Sequence, residues 1–487
     1  MEVVRGRRVG RVAAMVFCWV LLAPAGAGAA VPGVYVTNAG GGTVSQYDVD
    51  ACGRLAPAAT ATAGARPVDV EISPDGGSAY VVNGDSATVS QYNIGPDRAL
   101  APKTVAAADV GSHPEAMAIS PDGHSAYVVN STNDSISQYD IGPGGLLAPK
   151  APATATGGNP LDVAISPDGT SAYVTSRTTN ALSQYDIGPG GLLAPKAPAT
   201  AGAVAPTLRL ALSPDGTSAY AVGGDTVWQY DIGPGGLLAA KTPATAATGD
   251  NAWDVAISPD GKSAYVTNAD FNKVAQYDIG SGGRLAPKSP ATVAAGFSPN
   301  IVAVAPDGKS AYVTNLTGDN VSQYDIGPGG LLAPKTPAKV AAGSGPLGLA
   351  VIPASPDLGA GTALGPATAF SIVTLTASQA GTITAVVDTP AGGQLCGVGW
   401  TRVRLARVAA ARQRRTKTIA YGSGSTSSAV AGRLTVRVRP SRVAKTALKR
   451  AGTLRVAVTF TFQASGGAPV RHTRSVTVKP AHRPSRR

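Results

Sequence analysis

The side chains that could do chemistry form a set of charged and ionisable residues, widely spaced along a chain of 487 residues. An imidazole or a carboxylate can activate water as a general base, and a guanidinium can stabilise a developing oxyanion. Aspartates can instead hold a hard cation such as calcium through oxygen ligands. In a third interpretation, all of these groups are solvated charges and caps at strand ends. The set comprises Arg66, Asp69, Glu71, His113, Glu115, Asp162, Arg209 and Asp254.

These residues stand out because they interrupt an internal repeat. One column of tyrosines, in Ser-Ala-Tyr-Val or a variant, recurs every 45 to 47 residues; its members are Tyr35, Tyr80, Tyr127, Tyr173, Tyr220, Tyr265 and Tyr312. A second column, in Ser-Gln-Tyr-Asp or a variant, comprises Tyr47, Tyr92, Tyr139, Tyr185, Tyr230, Tyr277 and Tyr324. Repeats of this length are typical of propeller blades. Because the scaffold explains the repeated residues, a binding or catalytic site is expected where the repeat is broken.

The repeat is broken in the segment before each Pro-Asp-Gly turn. Four residues before the Asp of that turn, Glu71 stands where the other six units have alanine. Small residues suit strands that crowd around an axis, so a carboxylate there must be paired, hydrated by a central channel or raised in pKa. The same segment and its counterparts in other units carry the remaining charges, which should gather at one mouth of the channel; these are Arg66, Asp69, His113, Glu115, Asp162, Arg209 and Asp254.

Each unit is expected to form four short strands. In one unit these are Asp162–Ser166, Ala172–Thr175, Leu182–Ile187 and Leu193–Lys196, and a Pro-Asp-Gly turn joins the first two. Proline removes a ladder donor, so the fourth strand should be the outer edge of its sheet. The lysine that ends it is expected to discourage pairing between molecules.

The phase of the repeat predicts how the ring closes. The repeat begins at the second strand of a unit, around Tyr35, and the last copy of the first strand is Leu347–Ile352. The C-terminal copy should therefore complete the first blade by a strand exchange between the two ends. Counting first strands gives seven, so residues 31–355 are predicted to form an all-β, seven-bladed β-propeller.

The pattern Ser-Pro-Asp-Gly-x-Ser-Ala-Tyr-Val-x-Asn, followed by a strand ending in Tyr-Asp-Ile, resembles the YVTN-repeat propellers. It also resembles the related lactonase-family propellers, which include 6-phosphogluconolactonase-like proteins. The resemblance covers residues 33–355 and implies a hydrolase that opens a lactone. In that case His113 or Glu115 would activate water, while Arg66 or Arg209 would stabilise the oxyanion.

The segments outside the repeat differ in composition. Residues 1–30 combine arginines, a short apolar run and small residues, which is the pattern of a signal peptide; no transmembrane segment is expected after its cleavage. A linker at 356–368 leads to a basic domain at 369–480 and a basic tail at 481–487. The basic domain alternates apolar and polar residues and resembles a small immunoglobulin-like β-sandwich. Its predicted elements are strands at Ser371–Ala377, Gly381–Val387, Thr401–Val408, Arg433–Arg439, Leu454–Phe462 and Thr473–Lys479, and a helix at Ser441–Ala451 capped by Ser441.

The net charge of +12 conceals an asymmetry, since residues 31–357 carry −11 and residues 358–487 carry +20. An anionic cell-envelope polymer could bind the basic domain by multipoint electrostatics, and so could the acidic propeller itself. Nucleic acid is not an expected partner, because few aromatic residues accompany the basic ones. Cys52 and Cys396 could form one interdomain disulfide or remain two unpaired thiols. No cofactor is expected, with calcium in the channel as the alternative.

These observations predict an exported binding or interaction module, secreted or at the cell surface, for a small polar ligand or a protein partner. A lactonase-like hydrolase acting on a sugar lactone is the first alternative. A structural surface-layer component is the second.

Overall fold

The computed structural model describes residues 33–352 apart from 51, 203–205 and 250, together with 371–377, 382–389, 393–404, 416–428, 432–440, 442–451, 454–464 and 470–478. The predicted signal peptide, linker and basic tail lie outside these residues. No helix in the described part of the chain is long and apolar enough to cross a membrane.

Residues 33–352 form seven four-stranded antiparallel sheets, which are the blades of a propeller. The strands are β1 (Gly33–Asn38), β2 (Thr43–Val49), β3 (Leu55–Thr62), β4 (Pro67–Ile72), β5 (Ser78–Asn83), β6 (Thr88–Ile94), β7 (Leu100–Asp109), β8 (Pro114–Ile119), β9 (Ser125–Asn130), β10 (Ser135–Ile141), β11 (Leu147–Ala155), β12 (Pro160–Ile165), β13 (Ser171–Ser176), β14 (Ala181–Ile187), β15 (Leu193–Gly202), β16 (Arg209–Leu212), β17 (Ser218–Gly223), β18 (Thr226–Ile232), β19 (Leu238–Ala247), β20 (Ala252–Ile257), β21 (Ser263–Asn268), β22 (Lys273–Ile279), β23 (Leu285–Ala294), β24 (Pro299–Val304), β25 (Ser310–Asn315), β26 (Asn320–Ile326), β27 (Leu332–Ala341) and β28 (Pro346–Ile352). Blades two to seven each use four consecutive strands, beginning with β4.

Blade one confirms the predicted closure of the ring. Its sheet has the order β28-β1-β2-β3, so the last strand of the repeat supplies the innermost strand of the first blade. β28 pairs antiparallel with β1, and Tyr35 lies opposite Ala350. The fold class predicted for this region, a seven-bladed propeller, is therefore confirmed.

The repeated tyrosines join neighbouring blades. The hydroxyl of Tyr80 in blade two donates to the carbonyl of Gly145 in blade three at 2.7 Å. The same bond crosses the closure point, where the hydroxyl of Tyr312 donates to the carbonyl of Gly53 at 2.8 Å. Because each hydroxyl has a carbonyl partner, the buried tyrosines add both apolar area and satisfied polar groups to the blade interfaces.

The outer strands are edges, as the prolines predicted, but the lysines on them have a different role from the one expected. Lys196 of β15 is buried and forms an ion pair with Asp186. It also donates to the carbonyl of Gly235 in the next blade at 2.7 Å. The expectation that this lysine protects an exposed edge is therefore wrong: it links two blades, because its stem reaches back across its own sheet.

The innermost strands are irregular near the end at which the chain enters them. In β8 the register shifts between Pro114 and Ala116, around Glu115. In β20 it shifts between Ala252 and Val255, around Trp253. Such bulges redirect side chains, and here they lie beside the central channel.

The C-terminal described segments form two further sheets and one helix. Their elements are β29 (Ser371–Ala377), β30 (Ile383–Thr389), β31 (Gly393–Arg404), β32 (Thr416–Ser428), β33 (Gly432–Val438), α1 (Arg442–Ala451), β34 (Leu454–Ala464) and β35 (Val470–Val478). One sheet has the order β29-β30-β33 and the other β32-β31-β34-β35. The all-β prediction is confirmed, while the immunoglobulin-like assignment stays a prediction. The predicted cap, Ser441, lies outside the described residues.

One prediction about the cysteines is partly resolved. Cys52 is disulfide-bonded. The side chain of Cys396 lies outside the described residues, so the pairing of these two cysteines stays a prediction.

Candidate functional site

Three of the predicted site residues meet at one mouth of the channel. Nη1 of Arg66 lies 3.1 Å from Nε2 of His113 and 3.6 Å from Oε1 of Glu115. Nε2 of His113 lies 3.7 Å from the same carboxylate oxygen. The predicted meeting of these side chains across blades two and three is therefore confirmed.

The loops that carry Arg66 and His113 hold them in a rare backbone conformation. Their φ angles are 52° and 57°, in the left-handed region that asparagine and glycine adopt more readily. The loops are fixed by backbone hydrogen bonds, since Gly84 donates to the Arg66 carbonyl at 2.8 Å and Ser131 donates to the His113 carbonyl at 3.0 Å. This geometry directs the two side chains toward each other across neighbouring blades.

The contact between Arg66 and His113 has a defined direction when it is a hydrogen bond. A guanidinium can only donate, so Nε2 of His113 is then the acceptor. The His113 side chain is 43% exposed and Glu115 is 15% exposed. The cluster therefore presents an imidazole, a carboxyl group and a guanidinium together at this mouth.

The three predicted aspartates lie in the channel and join alternate blades to their neighbours. Oδ2 of Asp162 accepts a hydrogen bond from the Leu210 amide at 2.8 Å. Oδ2 of Asp254 accepts one from the Val302 amide at 2.8 Å. Asp69 makes the same contact with the next blade, so all three have a structural role that the sequence did not reveal.

Arg209 and Glu71 lie among these aspartates. Nη1 of Arg209 lies 3.5 Å from Oδ1 of Asp162. Burial lowers the pKa of Arg209, but the carboxylates of Asp162, Asp69 and Asp254 outweigh it and raise this pKa. The arginine therefore stays charged and compensates the buried carboxylates around it.

The channel shifts the carboxyl groups toward their neutral forms. Burial raises the pKa of Asp162 to about 6 and that of Asp254 to about 7, while Arg209 opposes both shifts. Burial also raises the pKa of Glu71 well above its ordinary value, and Asp69 and Asp162 add to the shift. Of the three states predicted for Glu71, the structure supports the raised pKa.

Calcium in the channel, the alternative interpretation of the aspartates, stays a prediction. Each aspartate already accepts a backbone amide, which leaves fewer free oxygens for a cation. No group of three or more His, Cys, Asp or Glu side chains in the described part of the chain could hold a metal ion.

A cavity of about 520 Å³ opens beside the Arg66 cluster. Its volume is in the range of small-molecule sites. It is lined by blades two, six, seven and one; the lining residues are Ala39, Arg66, Asp85, Asn251, Trp253, Ala269, Ser298, Asn300, Leu316 and Leu347. Arg66 belongs to both the cluster and the cavity, so a ligand in the cavity would contact the cluster through it.

Arg66 is the one lining residue in the predicted set, and two of the others share a column of the repeat. Trp253 and Asn300 stand seven residues before the Asp of the Pro-Asp-Gly turn, or its equivalent, in the same column as Glu115. Strict alternation along the strand places that column away from the positions assigned to the channel, but the bulges turn it toward the cavity. The variety of residues in this column was the available signal. Asn300 is only 5% exposed.

Comparisons with known proteins agree with this architecture. Residues 33–207 and 196–355 match the family described as "Lactonase, 7-bladed beta-propeller". A periplasmic gluconolactonase from Pseudomonas aeruginosa has 20% identity and a TM-score of 0.58, over 67% of this chain and 100% of that chain. A putative 6-phosphogluconolactonase from Bacteroides fragilis has 21% identity and a TM-score of 0.57, over 66% of this chain and 98% of that chain. At these identities the likeness concerns the fold. The comparison with curated proteins gives no match.

Proposed function

Because this chain belongs to the lactonase family of seven-bladed β-propellers, we propose that it hydrolyses a lactone at the channel mouth formed by blades two and three. The observation that carries the proposal is that Arg66 lines the 520 Å³ cavity and contacts both His113 and Glu115. The family and the solved structures support this hydrolase better than the binding module first expected from the sequence.

The proposed reaction uses the three side chains in separate roles. The lactone carbonyl takes the Arg66 guanidinium from His113, which frees Nε2 of the imidazole. Nε2 then removes a proton from a water molecule while the water oxygen attacks the carbonyl carbon. Arg66 stabilises the oxyanion that forms on the carbonyl oxygen. Glu115, 3.7 Å from Nε2, stabilises the imidazolium that results. The ring C–O bond breaks, the imidazolium returns its proton to the alkoxide, and the product is a hydroxy acid.

We place this activity outside the cytoplasm, after removal of the leader at residues 1–30. The arginine-flanked apolar run and small residues of the leader support this location. The basic composition of residues 358–487 supports a further association with an anionic envelope polymer.

The test is lactone hydrolysis by the purified chain, followed as acid release at constant pH. His113→Asn should lower kcat about 100- to 10,000-fold, the range for loss of a general base. Asparagine suits the backbone here, because Asn159 and Asn251 adopt the same left-handed conformation at the aligned positions of blades four and six. Arg66→Asn should lower kcat about 100- to 1,000-fold through loss of the oxyanion donor.

The matched control is His124→Asn. His124 is exposed beside a Pro-Asp-Gly turn, so its replacement should leave hydrolysis unchanged. Hydrolysis that survives His113→Asn at the wild-type rate would refute the proposed base, and a chain that hydrolyses no lactone would refute the proposed function.

A further inference from the structure

The cavity at the channel mouth has one polar side and one apolar side. Arg66 and Asp85 come from blade two, and the buried amide of Asn300 comes from blade seven. Trp253, Leu316 and Leu347 provide an apolar surface from blades six, seven and one. A ligand that fills this cavity must therefore combine a polar group with an apolar part.

Two exposed phenylalanines lie within two residues of cavity-lining residues in the chain. Phe271 is 48% exposed and Phe297 is 65% exposed. Phe271 lies two residues after the lining residue Ala269 of blade six, and Phe297 directly precedes the lining residue Ser298 of blade seven. Their loops are joined, because the Ser298 amide donates to Oδ1 of Asn272 at 2.8 Å. The chain has six phenylalanines, and these two are the ones between residues 33 and 352.

The exposed area is too small for a protein partner alone. A buried phenylalanine covers about 150–250 Å², so the exposed fractions amount to roughly 200 Å². A stable protein interface needs about 800 Å² on each partner. A small molecule that extends out of the cavity fits this area better.

The charged residues that line the cavity, Arg66 and Asp85, leave no surplus of positive charge for a phosphorylated ligand. Arg66 is the one cation among the lining residues, and it already lies near Glu115 and Asp85. The ammonium groups of Lys273 and Lys339 lie over the rings of Phe271 and Phe297, at 5.3 and 5.8 Å from the ring centres. The carboxylate of Asp85 would repel an anion in the cavity.

We propose that the site prefers uncharged lactones with an alkyl or aryl substituent, a substrate class that rests on the hydrolase function proposed above. The lactone carbonyl lies at Arg66, and Asn300 bonds a ring oxygen. The substituent packs along Trp253 and Leu316 toward Phe297. A sugar lactone would fit this cavity less well, because its hydroxyl groups would leave the apolar surface without an apolar partner.

The experiment compares δ-lactones that share one ring and differ in the alkyl substituent: δ-valerolactone, δ-octalactone and δ-decalactone. We expect kcat/KM to rise about fourfold for each methylene that becomes buried. δ-Gluconolactone and 6-phosphogluconolactone serve as the polar and the phosphorylated probes, and both should have lower kcat/KM than δ-decalactone.

Variants test where the substituent lies. Phe297→Ser should lower kcat/KM for δ-decalactone about tenfold and leave δ-valerolactone unchanged. Leu192→Ser is the matched control, since Leu192 is 45% exposed and lies in the turn before the outer strand of blade four. Leu192→Ser should leave kcat/KM unchanged for both δ-decalactone and δ-valerolactone.

The outcomes separate this proposal from the function on which it rests. Hydrolysis without dependence on chain length, or with a preference for either sugar lactone, would overturn the substrate class and leave the hydrolase intact. If no lactone is hydrolysed, the hydrolase fails, and calorimetric titration with the same lactones tests the site directly. Binding that strengthens with chain length and weakens in Phe297→Ser would then support the amphiphilic site, and no binding would overturn it.

Discussion

Replacing Asp254 by asparagine tests the electrostatics of the channel. Asp254 is 8% exposed, and its carboxylate accepts the Val302 amide of the next blade. Burial raises its pKa to about 7 from an ordinary 3.8, against the opposing effects of the Val302 amide and Arg209. Asparagine keeps an acceptor oxygen and the shape of the side chain but cannot ionise.

The sign of the effect follows from the direction of the shift. Because the folded pKa is the higher one, the folded chain binds the proton more tightly, and this stability is complete below pH 4 and is lost as the pH rises through 7. Three pKa units correspond to roughly 4 kcal/mol. The free energy of unfolding of Asp254→Asn should therefore equal that of the wild type near pH 4. Above pH 7 it should be higher than that of the wild type by up to roughly 4 kcal/mol.

The assay is urea unfolding of both proteins from pH 4 to 8, taken as the difference between them at each pH. Asp168→Asn is the control with the opposite sign. The Ser166 hydroxyl and the Thr170 amide lower the pKa of Asp168, so its replacement should cost stability as the pH rises. If Asp254→Asn were less stable than the wild type at pH 8, the aspartate would be needed as a charged group and the reasoning would be refuted.

Two further predictions concern the contacts between blades. Tyr312→Phe removes the donor to the Gly53 carbonyl at the closure point and should cost about 1–3 kcal/mol in urea unfolding. Tyr220→Phe, which breaks the equivalent bond to Gly283 within the ring, should cost the same, and a much larger cost at Tyr312 would mean that closure depends on this bond in particular. Gly191→Ala places a Cβ in steric clash with the Ser125 Oγ at a φ of +72°. It should cost about 1–3 kcal/mol more than Gly190→Ala, which has the same backbone strain and no atom within 4 Å. Equal urea midpoints for the two glycine variants would contradict the clash.

The sequence predicted the blades well because their residues alternate and their turns carry proline and glycine at fixed positions. The expected strand at Leu182–Ile187 became Ala181–Ile187. The outer strand of the same blade was underestimated, since the run of alanine, proline and threonine up to Gly202 has no apolar alternation. For the same reason β32, which is rich in serine and glycine, was not predicted at all.

The candidate site was predicted in part. Arg66 and His113 were found because they occupy a variable column of the repeat, and Glu115 because it lies beside them; the structure brings the three together. The aspartates break a column too, yet their carboxylates accept backbone amides of the next blade. The sequence could not separate the two cases, because a repeat is broken in the same way by a ligand-binding residue and by one that joins two blades.

The backbone φ angle distinguishes ligand-binding residues from blade-joining residues better than a break in a column of the repeat does. The loop that enters the innermost strand adopts a left-handed residue in blade after blade, and Asn159, Asn251 and Gly345 suit that geometry. Arg66 and His113 occupy it at a cost of about 1 kcal/mol each. Strain that the fold does not need is expected at residues retained for what they bind. The two strained residues contact each other, and one of them lines the cavity, so strain, contact and accessible volume converge on the mouth of blades two and three.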